Sequence, residues 1–240
     1  MPLGRFLEIA IATPDIRASV EFYERLGFTQ AHTGDMWPHP YGVLTDGRIF
    51  IGLHQARLPS PSLTFVRAGI AEHVPALEAS GIELEIRRVG DDVFNEIGFR
   101  DPSGQFVKVV EARTFSPVDR PPELPSLCGD FAEFSAPATD FERQKSFWEP
   151  LGFVATEETD DPYLRLPLTS DHLELAFHRP RTLDRPMLVF RDPGMPERIA
   201  KLRELGIELS DELPRGLDRT ANALIEAPEG TALLLLHDEG

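Results

Sequence analysis

Cysteine is almost missing from this 240-residue chain, with Cys128 the single example. One thiol cannot close an internal disulfide, so a disulfide scaffold and a cysteine-based metal site are both excluded. Long apolar runs are missing too. The longest, "ALLLL" at Ala232 to Leu236, is strand-sized, far from the roughly 18 residues of a membrane span. The opening "MPLGRFLEIA" has no basic region followed by a long apolar stretch, so no signal peptide is expected and the cytoplasm is the expected location. Lysine is scarce, 3 residues against 21 arginines, and net positive charge is absent: the formal charge is −16, divided as −4 for residues 1–115 and −12 for residues 116–240. Phosphate backbones and anionic membranes require clustered Lys and Arg. Nucleic acid and membrane are therefore not expected partners, and the acidity reads as solubility. Gly-rich phosphate loops, a nucleophile-elbow serine and a Cys–His pair are absent as well.

What the chain does have is an internal echo. "FYERLGF" (Phe22 to Phe28) returns as "FWEPLGF" (Phe147 to Phe153), 125 residues later. "ALEASGIEL" from Ala76 returns as "KLRELGIEL" from Lys201, and "GRIFIGLHQAR" from Gly47 as "DHLELAFHRPR" from Asp171. "DPSGQFVKVVE" (Asp101 to Glu111) has a weaker partner in "APEGTALLLLH" (Ala227 to His237). Four segments in one order at nearly one offset describe a duplication. It divides the chain into a first domain at 1–115, a Pro-rich linker at 116–126 and a second domain at 127–240, each large enough for its own core.

Each half divides again at proline-rich breaks, "ARLPSPS" and "HRPRTLDRP", which terminate elements and stiffen connections. The four pieces share one grammar. A short strand-like segment opens each: "RFLEIAIA", "SLTFV", "DFAEFSA", "PMLVF". An amphipathic helix follows. In the first piece Ile16, Val20, Tyr23 and Leu26 keep helical spacing, and Gly27 supplies a left-handed C-terminal cap. In the third, Thr139 and Glu142 fit a capping box, and Gly152 ends the helix. Pro75 and Pro196 fit their helices only in the first turn. Three strand-like segments close each piece. The expected fold is α+β: two tandem domains, each of two βαβββ modules, with mostly antiparallel sheets.

This grammar resembles the vicinal oxygen chelate superfamily, which contains glyoxalase I, bleomycin-resistance proteins and extradiol dioxygenases. The resemblance is carried by "TPDIRASVEFYERLGF", "TDFERQKSFWEPLGF" and the strand–"DPSG"–strand hairpin, and it covers nearly the whole chain. It implies curved sheets around a cavity, with the helices on the outer face. It also implies where a metal would sit: donors on the first and last strands of the modules. The matching first-strand positions here are Glu8, Ser62, Glu133 and Met187, and the last-strand positions are Ile51, Lys108, Leu175 and Leu234. Only Glu8 and Glu133 are donors of the expected kind, and Lys108 is a cation where the family's enzymes place a carboxylate. No set of three ligands is expected, hence no metal and no cofactor.

The remaining polar residues, Glu8, Lys108 and Glu133, are expected to face a cavity lined by Phe6, Ala10, Ile51, Val66, Phe106, Phe131, Leu175, Val189 and Leu234. Lys108 is expected to pair with Glu8 if consecutive modules share a sheet, and with Glu133 if they cross-pair, because a buried charge needs a partner. That pair can be a structural relic of a lost metal, a ligand-recognising group or an acid–base couple. Trp37 and Tyr41, in "HTGDMWPHPYG", suit stacking on a flat ligand. Its counterpart "TEETDDPYLR" keeps only Tyr163. His54 and His178 are expected to point away from the cavity. The expected function is metal-independent binding of a small, partly apolar molecule, as in the bleomycin-resistance branch. The alternative is an enzyme of the same superfamily, a lyase, isomerase or dioxygenase with a non-standard metal site. A monomer is expected, because four modules carry the family's dimer within one chain.

Overall fold

The computed structural model describes residues 2–32, 37–111 and 126–238. Module one runs β1 (Arg5–Ala12), α1 (Ile16–Arg25), β2 (Thr29–Ala31), β3 (Tyr41–Thr45) and β4 (Phe50–His54). Module two runs β5 (Ser62–Arg67), α2 (Ile70–Ala79), β6 (Leu84–Arg88), β7 (Glu96–Arg100) and β8 (Phe106–Glu111). Module three runs β9 (Asp130–Pro137), α3 (Phe141–Trp148), β10 (Val154–Ala155), β11 (Arg165–Thr169) and β12 (Glu174–His178). Module four runs β13 (Met187–Asp192), α4 (Met195–Glu204), β14 (Ala223–Glu226) and β15 (Ala232–His237). The expected linker at 116–126 lies, but for Ser126, outside the described residues.

Consecutive modules share a sheet. The first sheet has the order β2-β3-β4-β1-β5-β8-β7-β6 and the second β10-β11-β12-β9-β13-β15-β14. In each, the two module-opening strands pair antiparallel at the centre, β1 with β5 and β9 with β13. Each opening strand also lies parallel to the closing strand of its own module. The other pairings are antiparallel. This architecture is the α+β fold expected from the repeat, with one strand fewer in module four. There "GIELSDELPRG" forms no strand where module two forms β6. Asp211, Glu212 and Pro214 break the alternation of a half-buried strand, and proline donates no ladder bond. One bond of the missing pairing survives, Ser210 N to Leu224 O at 2.7 Å.

One face of each sheet carries the main core, where Ile9, Ile11, Leu53, Leu63, Phe65, Val107 and Val109 meet helix residues such as Tyr23, Leu26, Val74 and Leu77. The same cluster continues into the second half through Phe134, Trp148, Phe177, Phe190 and Ile199. The halves dock reciprocally, each offering a helix to the hairpin of the other. Glu229 in the β14–β15 hairpin accepts from Tyr23 Oη at 2.9 Å and Ser19 Oγ at 2.7 Å of α1. Asp101 in the β7–β8 hairpin accepts from Trp148 Nε1 of α3 at 3.2 Å. Tyr23 and Trp148 are themselves 125 residues apart, so equivalent helix positions make the two contacts.

Local details correct two expectations. The N-cap of α3 is Asp140, which accepts from Arg143 N at 2.9 Å, and not Thr139. Pro75 lies in the interior of α2, whereas Pro196 does sit in the first turn of α4. Gly27 adopts the left-handed φ of 91° that its capping role requires.

Candidate functional site

The sheet face turned away from the main core is called the inner face. Its membership follows from the pairing register. Ala10 is level with Gly52 and Ala12 with His54, so the even residues of β1 and β4 share that face. Thr64 is level with Lys108 and Val66 with Val110. This places Glu8, Gly52, His54, Thr64 and Lys108 together. Four expectations fail here for one reason. Ile51 and Leu175 belong to the helix-side core, and His54 and His178 face inward, because β4 and β12, the closing strands of modules one and three, sit one residue out of the expected phase. A β-bulge between Phe6 and Glu8, repeated at Val189/Phe190 opposite β9, adds a second slip. Phe6 and Phe131 thereby pack on the helix-side cluster, while Leu7 and Ala132 turn inward. Lys108, Val66, Val189 and Leu234 are on the inner face as expected.

Glu8 is 3% exposed. Its carboxylate lies across β4, where only a glycine leaves room: a Cβ at Gly52 would overlap it. There Tyr41 Oη donates to Glu8 Oε2 at 2.6 Å, and His54 Nε2 lies 3.5 Å from Glu8 Oε1. His54 Nδ1 meets His39 Nε2 at 2.9 Å. The result is a Tyr41–Glu8–His54–His39 line, hydrogen-bonded at its two ends and joined in the middle by the looser 3.5 Å contact. Burial raises the Tyr41 phenol far above its ordinary range, the Glu8 charge and hydrogen bond add to this, and the Trp37 indole N–H, near the phenol but outside hydrogen-bond geometry, opposes it. Burial, then His54 and Lys108, push the His39 imidazole below its ordinary value.

Lys108 does not pair with Glu8 or Glu133. Its ammonium is 2.6 Å from Glu96 Oε2, on the neighbouring strand β7, and Arg88 holds the other Glu96 oxygen at 3.0 Å. The reason is distance across the sheet. β5 separates β8 from β1, and Glu8 leans the other way. Glu96, two residues along β7 from Gly98, which lies opposite Lys108, was missed because nothing in its sequence surroundings marks it as inward. Trp37 covers this face. Its ring meets His39, Tyr41, His54 and Phe94, and the Lys108 ammonium sits 4.7 Å from its centroid. Three buried polar atoms here make no hydrogen bond: Trp37 Nε1, His54 Nε2 and Thr64 Oγ1.

The second half places Glu133 on its own inner face, apart from the other four candidates. Arg165 pairs with it at 2.5 Å. Burial raises the Glu133 carboxyl above its ordinary value against the pull of Arg165 and Arg191. His178 is held at both nitrogens, by Ser135 Oγ at 2.7 Å and Leu183 O at 2.9 Å, and burial lowers it to about 4. The rest of that face is filled by Tyr163, whose buried hydroxyl makes no hydrogen bond, and by aliphatic side chains such as Leu183, Leu213, Leu224 and Leu234.

The residues present do not fit the iron or zinc centre that the family resemblance implies. A divalent ion needs three or four convergent donors. At the ligand-bearing register the first half offers Glu8, Thr64, Gly52 and Lys108, and the Lys108 ammonium repels a cation. The second half offers Glu133, Val189, Ala176 and Leu234. His54 is engaged along the chain to His39. Among the described residues, no three His, Cys, Asp or Glu side chains converge.

No protein-family model and no curated protein matches the sequence. Solved structures do match the fold. A catechol 2,3-dioxygenase is 15% identical, with a TM-score of 0.62 over 98% of this chain and 87% of its own. An extradiol ring-cleaving dioxygenase from B. fuscum is 17% identical, with a TM-score of 0.60 over 99% and 74%. The 2,3-dioxygenase LapB from Pseudomonas sp. KL28 is 13% identical, with a TM-score of 0.62 over 96% and 90%. Identities this low speak for the backbone and not for the chemistry. With consecutive modules paired in two docked sheets, the chain has the vicinal oxygen chelate fold that it shares with these extradiol dioxygenases.

Proposed function

We propose that the protein binds a small, partly apolar molecule on the inner face of its first half, without a metal. The observation that carries this reading is that buried polar atoms left without a hydrogen bond, Trp37 Nε1, His54 Nε2 and Thr64 Oγ1, lie on that face beside a cluster of aromatic rings and the Lys108 ammonium, whereas Glu133 Oε1, Tyr163 Oη and Arg165 Nε are left likewise in the second half without such a cluster. A buried polar group in a folded protein normally has a partner, and one without it marks a place for water, ion or ligand. Trp37, Tyr41 and Phe94 supply flat apolar surface, while Glu8 and Lys108 supply charge of both signs. Glu133 stands outside this site on the present reading. A thermal-shift screen of small aromatic and aliphatic compounds, with metal content measured on the same sample, tests it. Metal-free protein that is stabilised by ligands in the wild type, but not after Thr64→Val combined with Tyr41→Phe, supports it. Stabilisation only after metal loading overturns it.

The second reading, an enzyme of the superfamily, is favoured by the Tyr41–Glu8–His54–His39 chain, since a histidine oriented by another group is the usual arrangement of a general base. It leads to turnover that His39→Gln abolishes. We also propose a monomer, because both pairs of modules are present in one chain. Light scattering at micromolar concentration tests that.

A further inference from the structure

Trp37 is surrounded as a ligand would be. His39 is stacked against it with ring centroids 5.9 Å apart, and Tyr41, His54 and Phe94 meet it edge-on at 6.3, 5.6 and 5.9 Å. Lys108 places its ammonium over the ring. Those groups come from a loop, from β3 and β4, from the approach to β7 and from β8. Trp37 itself is on no strand. It reaches the face from the segment before β3 and remains partly exposed, yet its buried N–H makes no hydrogen bond. The seat suits a flat ring system, but its polar edge is not matched to this residue. In the second half Asp161 stands 124 residues on from Trp37, the offset that carries His54 to His178. The face there is closed by Tyr163, edge-on to His178, and by aliphatic side chains.

We infer that Trp37 is a built-in occupant of a site for a planar, electron-rich aromatic molecule, and that such a ligand binds by displacing it. The inference rests on the binding reading above, with Trp37 as the ring the ligand replaces and Tyr41 and Phe94 as the surface it then meets. An ammonium over the ring face attracts an electron-rich π system and repels an aromatic cation. A tethered occupant competes with free ligand at the high effective concentration of a short linker, so the wild type understates the affinity of the seat.

Calorimetry with indole as the probe separates the possibilities. Trp37→Ala is expected to bind indole about tenfold more tightly than the wild type or better, as the tethered competitor is removed. Indole should also raise the melting temperature of the variant, and tryptamine, which adds an ammonium, should do neither. Trp37→Phe, a smaller occupant that keeps the seat filled, should fall between and decides the question if the alanine variant does not fold. Equal affinity of wild type and variants for indole would overturn the occupant and leave the binding reading standing. Folded variants that bind no indole would overturn the aromatic seat, and the ligand screen then judges the binding reading separately. Equal binding of tryptamine and indole would overturn the role given to Lys108.

Discussion

Glu8 and Glu133 occupy one position in two copies of the same sheet, and each is buried. The residue across from the inward histidine differs. In the first half it is Tyr41, level with His54, and it gives the acid a neutral hydrogen bond. In the second it is Arg165, level with His178, and it gives a full charge. The residue beside the acid differs as well. Ser135 engages His178 Nδ1, whereas Ala10 has nothing to offer and His54 turns that nitrogen to His39. Further along the face Thr64 stands against Val189, Lys108 against Leu234 and Gly98 against Leu224. The duplicated scaffold therefore holds an aromatic cluster and a lysine ion pair on one inner face, and mostly aliphatic side chains around Glu133, Arg165 and His178 on the other, with buried polar atoms left without a hydrogen bond on both. Duplication allows this division, because one copy can supply stability while the other keeps a site.

The comparison breaks hardest if the lysine is moved. Leu234→Lys would bury an ammonium among aliphatic side chains, with Asn222 where the first half has Glu96 and with Glu133 already paired to Arg165. An unpaired buried charge is among the few changes that cost more than about 4–5 kcal/mol, so little folded protein is expected on purification. Lys108→Met leaves Glu96 with Arg88 alone, and Arg88 is more than half exposed. The expected loss is about 3 kcal/mol, the low end for breaking a buried pair, read from urea unfolding. A neutral Lys108→Met would show that the two faces are equivalent after all.

The second expected effect belongs to the second half and depends on pH. His178 is neutral when folded, with a value of about 4 against an ordinary 6.5. Its folded pKa is depressed, so its contribution is complete above pH 6.5 and declines as the pH falls towards 4. The full span is about 3 kcal/mol at about 1.4 kcal/mol per unit. Glu133 acts in the opposite direction. Its folded pKa is raised, so acidification relieves the cost of its buried charge and offsets part of the loss. Urea midpoints from pH 7 to pH 4.5 should fall in the wild type and fall less in His178→Gln. Equal slopes would remove His178 from the account.

A smaller effect tests Gly52 against its counterpart Ala176. A methyl at position 52 meets the Glu8 carboxylate, so Gly52→Ala should cost about 1–3 kcal/mol by overpacking. Ala176→Gly should cost only about 0.5–1 kcal/mol, from backbone entropy. Similar losses would mean that Glu8 has another place to go.

The repeat and the strand–helix grammar were legible because they depend on spacing, which local physics fixes. The inward direction of Lys108 was legible because flanking valines and strand alternation fix it, whereas Trp37 and Tyr41 were marked only by aromatic type in a loop and strand start. What was not legible depends on register. The phase of β4 against β1 decides whether Ile51 or Gly52 faces in, and a bulge next to Glu8 shifts its neighbours by one. A one-residue slip exchanges the two faces of a strand, and no local sequence records it. The Lys108 partner was hidden for a related reason: Glu96 reaches it across strands, and its own segment does not announce the contact.

The smallest effect distinguishes the helices that open the two halves. Asp15 accepts from both Arg17 N at 3.0 Å and Ala18 N at 3.2 Å, whereas Asp140 accepts from Arg143 N alone. Both residues hold the extended backbone of an N-cap. Replacing either by alanine should cost about 1 kcal/mol, the usual value for a lost cap, with Asp15→Ala the larger because two helix N–H groups lose their acceptor. Thr139→Ala should stay within about 0.5 kcal/mol, as expected of a surface change away from such a feature. The exposed carboxylates leave water free to replace them, which keeps these costs modest. Thermal unfolding of the three variants under one buffer ranks them. If Thr139→Ala costs as much as Asp140→Ala, the capping box expected from the sequence operates in solution and Asp140 is not the cap.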